Sequence, residues 1–423
     1  MCHPSDPADA APTLGLFEAV GVELEYMIVS RSSLDVAPLC DQLLAAQAGQ
    51  IVSDVTFTDV AWSNELVLHV IELKTAQPLA RLDSASGAFH RHLLHINEML
   101  QPMDAQLMPT AMHPWMDPHR QTQLWPHEAG PIYEAFNRIF DCRGHGWANL
   151  QSTHLNLPFK NDQEFARLHA AIRLLLPILP ALAASSPIMD SRPTGTLDNR
   201  LAVYRTNCAR IPSITGQVIP EPVFCPRQYQ ETILQPIYRD LAPHDPQGTL
   251  QEEWVNARGA IARFDRHTIE IRLLDVQECP AADLAIAAAI VAVLQLLTNE
   301  TWSPLAHQQA ADTASLARLL DRTIRDADQA LIDDPAYLRL LDVDPASGPL
   351  TAGRLWQHLI DQASRHLPHR IDFCSRELEH LLRHGPLARR ILAAIGPEPS
   401  LPRLRDTYRR LCQYAAANVP FER

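Results

Sequence analysis

Residues 21–29 read GVELEYMIV, and how this stretch is read decides the fold. Its run of Val, Leu, Tyr, Met and Ile predicts a strand over about 20–30. Side chains alternate along a strand, so Glu23 and Glu25 share one face while Val22, Leu24 and Tyr26 take the other. Two like charges side by side repel, and burial raises the cost, unless the face is open to water or a cation sits between them. A half-exposed edge strand is the plain alternative from these nine residues alone.

Three further segments carry acids or imidazoles in the same way. NELVLHVIELKT at 64–75 predicts a strand bearing Glu72, and WANLQSTHLNLPF at 147–159 one whose Ser152, His154 and Asn156 share a face. HTIEIRLLD at 267–275 predicts a strand with Thr268, Glu270 and Arg272 together. If these strands pair with their polar sides on one face, they line a cup of four carboxylates and an imidazole. Such donors suit magnesium or manganese, the ring nitrogen tipping the balance slightly towards manganese. No GxxxxGK[ST] and no GxGxxG after a strand occurs, so a nucleotide here has to be held by metals and arginines. Arg272 stands on the Glu270 face, and Arg200 lies in the turn-rich TGTLDNRLAVYRTN.

The chain of 423 residues, 46% hydrophobic, is long enough for a sizeable core. A net charge of -13 and the lack of a Lys/Arg cluster argue against a nucleic-acid partner. The eight cysteines form no CxxC pair, which disfavours structural zinc and a disulfide framework. The N-terminus lacks the pattern of a signal peptide, and the apolar run at 284–297, interrupted by Gln295, reads as a buried helix rather than a membrane span. A cytoplasmic protein with no membrane partner is the expectation. Only Lys74 and Lys160 occur against 34 arginines, a skew that points to genome composition.

Residues 1–14, rich in Pro, Ala and Asp, predict a flexible arm. Helices are expected at about 36–48, 84–102 and 162–184, a strand at 105–109, and surface loops over the seven prolines of 211–250. Beyond Pro280, apolar residues at helical spacing predict a C-terminal helical part over 281–423, packed on a core of 15–280.

Taken in order, GVELEYMIV, ELVLHVIELKT, MPTAMHPWM, NLQSTHLNLPF, ASSPIMDSRPTGTLDNR and TIEIRLLD resemble the glutamate-cysteine ligases, and more closely their second family, the bacterial carboxylate-amine ligases. The resemblance spans roughly residues 18–280. It implies an α+β fold like that of glutamine synthetase and the guanidino kinases: a curved, mainly antiparallel sheet forming an open funnel with helices outside. It further implies ATP, Mg2+ (or Mn2+), glutamate and an amino-acid amine such as cysteine as ligands, a homodimer or larger assembly, and a product destined for glutathione or a specialised pathway. By the same resemblance Glu23, Glu25, Glu72, His154 and Glu270 are metal ligands, and Asn156 and Arg272 contact the nucleotide. Arg272 and Arg200 are the catalytic arginines, at the ATP phosphates and at the acyl substrate or its phosphate. Two departures, HPWM for the family's HPF and LLDVQECP for its D-x-x-P, fall where a substrate side chain would be sensed.

Two other classes compete with this reading. Nineteen histidines raise a metal-dependent hydrolase, but the ligand spacings of that class are absent or badly placed. A catalytically silent binding protein on the same fold would have little reason to keep a buried acidic cup, which is costly. Lys74 reads as a solvated neighbour of Glu72, the cysteines as small buried apolar residues, and His69 and His113 carry no assigned role.

Overall fold

The computed structural model describes residues 13–344, 346 and 348–422, so the arm expected at 1–14 lies outside the described residues except for Thr13 and Leu14. Eight strands form one sheet: β1 (Gly21–Ser30), β2 (Asp54–Thr56), β3 (Val60–Asn64), β4 (Val70–Thr75), β5 (Ala105–Met108), β6 (Ser152–Pro158), β9 (Ala260–Arg263) and β10 (Thr268–Asp275). Two small ribbons, β7 (Ile188–Met189) with β8 (Arg192–Pro193) and β11 (Leu331–Ile332) with β12 (Leu350–Thr351), complete the strands among the described residues. The sheet order is β2-β3-β4-β1-β6-β10-β9, with β5 pairing the last four residues of β1, and every pairing is antiparallel. The fold is therefore α+β, as expected.

β1 is central, and its alternation divides the molecule. Val22, Leu24, Tyr26 and Ile28 are fully buried in the main core. That core includes Phe89 and Leu93 of helix Ala85–Leu100 and Phe165 and Leu168 of helix Asp162–Leu175. On the opposite face Met27 and Val29 pack with Leu387, Ile391, Leu404 and Tyr408 of the two C-terminal helices Leu387–Ile395 and Leu401–Ala417. The same face thus has a covered apolar end and, at Glu23 and Glu25, an end free to line a cavity.

The apolar run after Pro280 forms a 19-residue helix, Pro280–Thr298. By length and composition it could cross a bilayer, yet only Ala281, Ala282 and Gln295 escape burial inside the protein. It packs on helices Asp162–Leu175 and Ala85–Leu100, so the C-terminal part begins inside the core rather than beside it.

Several elements differ from expectation. The stretch 64–75 is not one strand: β3 ends at Asn64, and Leu66 and Leu68 bond instead to Trp125 and Gln123 before β4 begins. Residues 147–151 are outside β6, because 145–148 form a helical turn. The helix expected over 162–184 breaks into three pieces at Pro177 and Pro180. Within 211–250, residues 226–241 are helical rather than loop. Pro226 sits in the first turn, where its missing N–H costs nothing, and a wide π-type turn at Gln230–Leu234 precedes Pro236.

Candidate active site

The strand register assembles the polar face. Glu23 lies opposite Lys74 on β4 and His154 on β6, Glu25 lies opposite Glu72, and Glu270 of β10 lies opposite Asn156. Asn156 also faces Gly21, where an added Cβ would meet its side chain at 3.1 Å, so the glycine leaves room for the amide to reach across β1. A bulge in β10 between Ile271 and Leu274 then shifts the alternation, so that Asp275 pairs Ser152 and returns to the polar face. Gly259 permits the bulge: a Cβ there would stand 2.5 Å from Leu273 Cδ1.

The polar groups are in direct contact. Glu23 accepts from His154 Nδ1 at 3.0 Å with one oxygen and from Asn156 Nδ2 at 2.9 Å with the other. His154 Nδ1 lies 3.9 Å from Glu270, and Nε2 lies 3.9 Å from Glu25 and 2.9 Å from Ser152 Oγ. Glu25 accepts from the Ser152 backbone N–H at 2.7 Å. Glu72 accepts from Ser63 Oγ at 2.5 Å and Lys74 Nζ at 3.1 Å. Arg272 grips Glu270 through Nε at 3.0 Å and a terminal nitrogen at 2.5 Å.

These contacts decide the charges. Burial penalises the imidazolium, but the Glu23 hydrogen bond and the charges of Glu25 and Glu270 outweigh it and push His154 up to about 9. Burial likewise opposes the Glu23 carboxylate, yet the hydrogen bond and charge of His154 hold it down at about 2. Glu72 goes the other way, up to about 7, because burial and the Glu23 charge exceed what Lys74 and Ser63 return. The protonated ring of His154 therefore takes a cation's position among three carboxylates.

The donor set fits a divalent cation. One ligand atom each from Glu23, Glu72 and His154 lie within 4.8 Å of one another, and Glu25 and Glu270 border the same space. Carboxylate oxygens with one imidazole nitrogen suit magnesium or manganese better than a thiolate-seeking metal.

All these groups open on one cavity of about 450 Å3. A second wall, apolar, faces the acids: Ile132, Tyr133 and Phe136 from helix Gly130–Phe140, with Leu66, Trp147 and Trp254. A larger cleft, about 780 Å3, opens around Trp302, Leu316 and Tyr337 in the C-terminal helices, away from the polar strands. Volume does not locate the chemistry here; the acids and arginines do.

Every residue expected at the site reaches this cavity or bonds a residue that does, but Arg200 does so differently from expectation. Its guanidinium is buried, 3.5 Å from Asp275, and donates to the Arg272 carbonyl at 2.9 Å. It holds the strand that carries Arg272. Sequence reasoning passed over Glu65, Arg263 and the aromatic wall, all of which line the cavity. Burial and the Glu25 and Glu72 charges raise the Glu65 carboxyl well above its usual range. Its place in NELVL was the only signal, and that segment reads as strand interior. Lys74 is more than a solvated neighbour, since it bonds both Ser63 and Glu72 inside the cavity wall.

The two motif departures do structural work. Trp115 of HPWM donates to Asp35 at 2.8 Å and stacks edge-on against Tyr408, outside the cavity lining. Glu278 of LLDVQECP is fully buried, paired with Arg390 and accepting from the Phe421 N–H at 3.0 Å. His69 and His113 are buried struts whose Nε2 atoms donate to the carbonyls of Ala148 (2.9 Å) and Leu34 (2.7 Å). Burial holds both rings down at about 4, hence neutral.

Comparison with known proteins identifies the family and the fold. The family model described as glutamate-cysteine ligase family 2 matches residues 19–401. An uncharacterized protein of Archaeoglobus fulgidus is 36% identical over 282 residues, covering 66% of this chain and 75% of that protein. A protein of Jannaschia sp. strain CCS1, provisionally named glutamate-cysteine ligase 2, is 25% identical over 292 residues, covering 67% of this chain and 69% of its own length. Among solved structures, the glutamate-cysteine ligase of Francisella tularensis in complex with AMP superposes with a TM-score of 0.57 over 95% of this chain and 90% of its own, at 14% identity. At that identity the likeness is one of fold.

Proposed function

The chain belongs to glutamate-cysteine ligase family 2, enzymes that join a carboxylate to an amine at the expense of ATP, and from that premise we propose that it joins the γ-carboxylate of glutamate to the amino group of cysteine or a related amino acid. The observation that carries this reading is the convergence of Glu23, Glu72 and His154 within 4.8 Å, ringed by Glu25, Glu270 and Arg272.

Glu23, Glu25, Glu72, His154 and Glu270 would hold a divalent cation, which would supply positive charge to neutralise the terminal phosphates of ATP. The substrate carboxylate oxygen bonds to the γ-phosphorus as ADP leaves. The amine nitrogen then bonds to the acyl carbon, phosphate departs, and the nitrogen gives up a proton. Arg272 lies in the wall with a planar fork that stays protonated, suited to the oxygens of the transferred phosphoryl group. Arg200 fixes the Arg272 carbonyl and so sets where that fork points. Asn156, outside the cavity lining, donates its amide to Glu23 and so acts on the nucleotide site through that carboxylate.

In this reading the polar face is the floor of a curved funnel, 15–280 is the catalytic core and 281–423 the helical support. The protein works in the cytoplasm as a homo-oligomer on small molecules, feeding glutathione or a specialised γ-glutamyl product. The test is ADP release from ATP and magnesium with glutamate fixed and each amino acid added in turn, followed by mass analysis of the product. Stimulation by an amine with a γ-glutamyl product supports the reading; ATP binding without stimulation by any pair refutes the substrate assignment.

A further inference from the structure

The wall facing the acidic cup is unusual for a site that handles charged substrates. Helix Gly130–Phe140 turns Ile132, Tyr133 and Phe136 towards the cavity, and all three remain only partly buried. Trp147 and Trp254 extend the same surface, with ring centroids 5.2 and 5.9 Å from that of Phe136. Phe140 stacks on Trp147 at 5.4 Å and an interplanar angle of 23°, and its ring centroid lies 6.2 Å from that of Phe136, so the three rings pack as one group. The Trp147 indole donates to the Asn207 carbonyl at 3.1 Å, and the Asn64 amide bonds the Tyr133 hydroxyl at 3.1 Å, tying the wall to the end of β3.

The rings are held in place, yet each leaves surface to water inside a cavity. Exposed apolar area of this kind is costly unless a ligand covers it. Fixed aromatic faces favour a flat or bulky apolar group, which stacks at offset or edge-on geometry without ordering the wall. A small thiol side chain would leave most of the surface uncovered. Arg263 of β9, Arg272 of β10 and Arg266 in the turn between them place phosphate-binding charge across the sheet from Asn64 of β3, to which Tyr133 bonds, while Trp254, in the turn Glu253–Val255 beside β9, continues the wall towards the arginines. Glu65, directly after β3, borders the cavity next to Leu66 and offers a carboxyl oxygen to accept from the substrate's amino group.

We propose that the amine joined by this enzyme carries an aromatic or bulky apolar side chain, received by Tyr133, Phe136, Trp147 and Trp254. This rests on the ligase reading above and names the class of its second substrate.

The experiment has two readouts. In the first, ADP release is measured with ATP, magnesium and glutamate against phenylalanine, tyrosine, tryptophan, leucine, cysteine and alanine. The expected order has the aromatic amines ahead of cysteine and alanine by about tenfold in kcat/KM. In Phe136→Ala and Trp254→Ala, KM for the aromatic amine rises about tenfold while KM for ATP stays within about twofold. Cysteine or alanine as the best amine overturns the proposal and leaves the ligase reading standing. A raised KM for ATP alone assigns the wall to the adenine and overturns it equally. In the second readout, titration with phenylalanine follows tryptophan fluorescence without turnover. Saturable quenching, lost in Trp254→Phe, is expected; absence of both ADP release and quenching refutes the glutamate assignment and the aromatic wall together, whereas quenching without ADP release refutes the glutamate assignment and supports the aromatic wall as the amine's site.

Discussion

Nδ1 of His154 stands 3.0 Å from a carboxylate oxygen of Glu23 on the neighbouring strand, and the two groups titrate in opposite directions because of it. The pair exists because antiparallel register places the two residues directly opposite each other. Its proton occupies the space in which a cation would bind.

Addition of MnCl2 or MgCl2 is therefore expected to stabilise the protein by mass action, raising its melting temperature by about 5 °C at saturating ion. Glu23→Gln and Glu72→Gln should each remove that shift and abolish turnover while far-UV circular dichroism stays native. A full ion-dependent shift in both variants, or retained turnover in Glu23→Gln, would refute the metal assignment.

Arg272→Lys keeps a positive charge beside Glu270 but loses the planar fork. Turnover should drop by about a hundredfold with little change in melting temperature. Near-native turnover in the lysine variant would show that only the charge matters.

Gly259 touches the site through Leu273 and the β10 bulge. In Gly259→Ala the new methyl group must displace the fully buried Leu273, costing about 1–3 kcal/mol and flattening the bulge that aims Asp275 at Arg200. Denaturant unfolding and turnover should fall together; a variant as stable and active as the parent would show that Leu273 moves freely.

The buried neutral rings of His69 and His113 give stability a definite pH slope. Their ordinary value is 6.5 and burial holds both at about 4. Below about 6.5 the unfolded chain binds protons that the folded chain refuses, so stability falls as pH drops from about 6.5 to about 4, by up to about 3 kcal/mol for each ring. Melting temperature measured from pH 7 to pH 4.5 should fall less steeply in His69→Gln than in the parent; parallel slopes would exclude His69 as a source.

How much of this was legible before the structure follows from strand physics. β1, β4, β6 and β10 announce themselves because each alternates polar and apolar residues, and the order of their motifs names the family. β3 and β9 are invisible in that sense: VAWSN and AIAR are four or five residues long, buried throughout, with no alternation to detect. Arg263 enters the cavity only because β9 pairs with β10, a long-range fact that no local pattern encodes. The bulge is similar, since an extra residue is defined only against a partner strand. Helix Gly130–Phe140 bears its aromatic residues at ordinary helical spacing, which cannot distinguish a core face from a cavity wall. Glu278 stands within a departure from the family pattern and becomes intelligible only beside Arg390.

The central position of β1 carries a consequence for how the molecule comes into being. Glu23 is among the first described residues to emerge during synthesis, but its neighbours on β6 and β10 come from Thr153–Asn156 and Glu270, far along the chain. Closing such distant pairings is slow compared with forming local helices. A refolding chain will regain its helical signal well before the acids of β1 and β10 come together. Closure of the acidic cup is thus the last stage of assembly, and a truncated or stalled chain ending before β10 holds an incomplete set of acids.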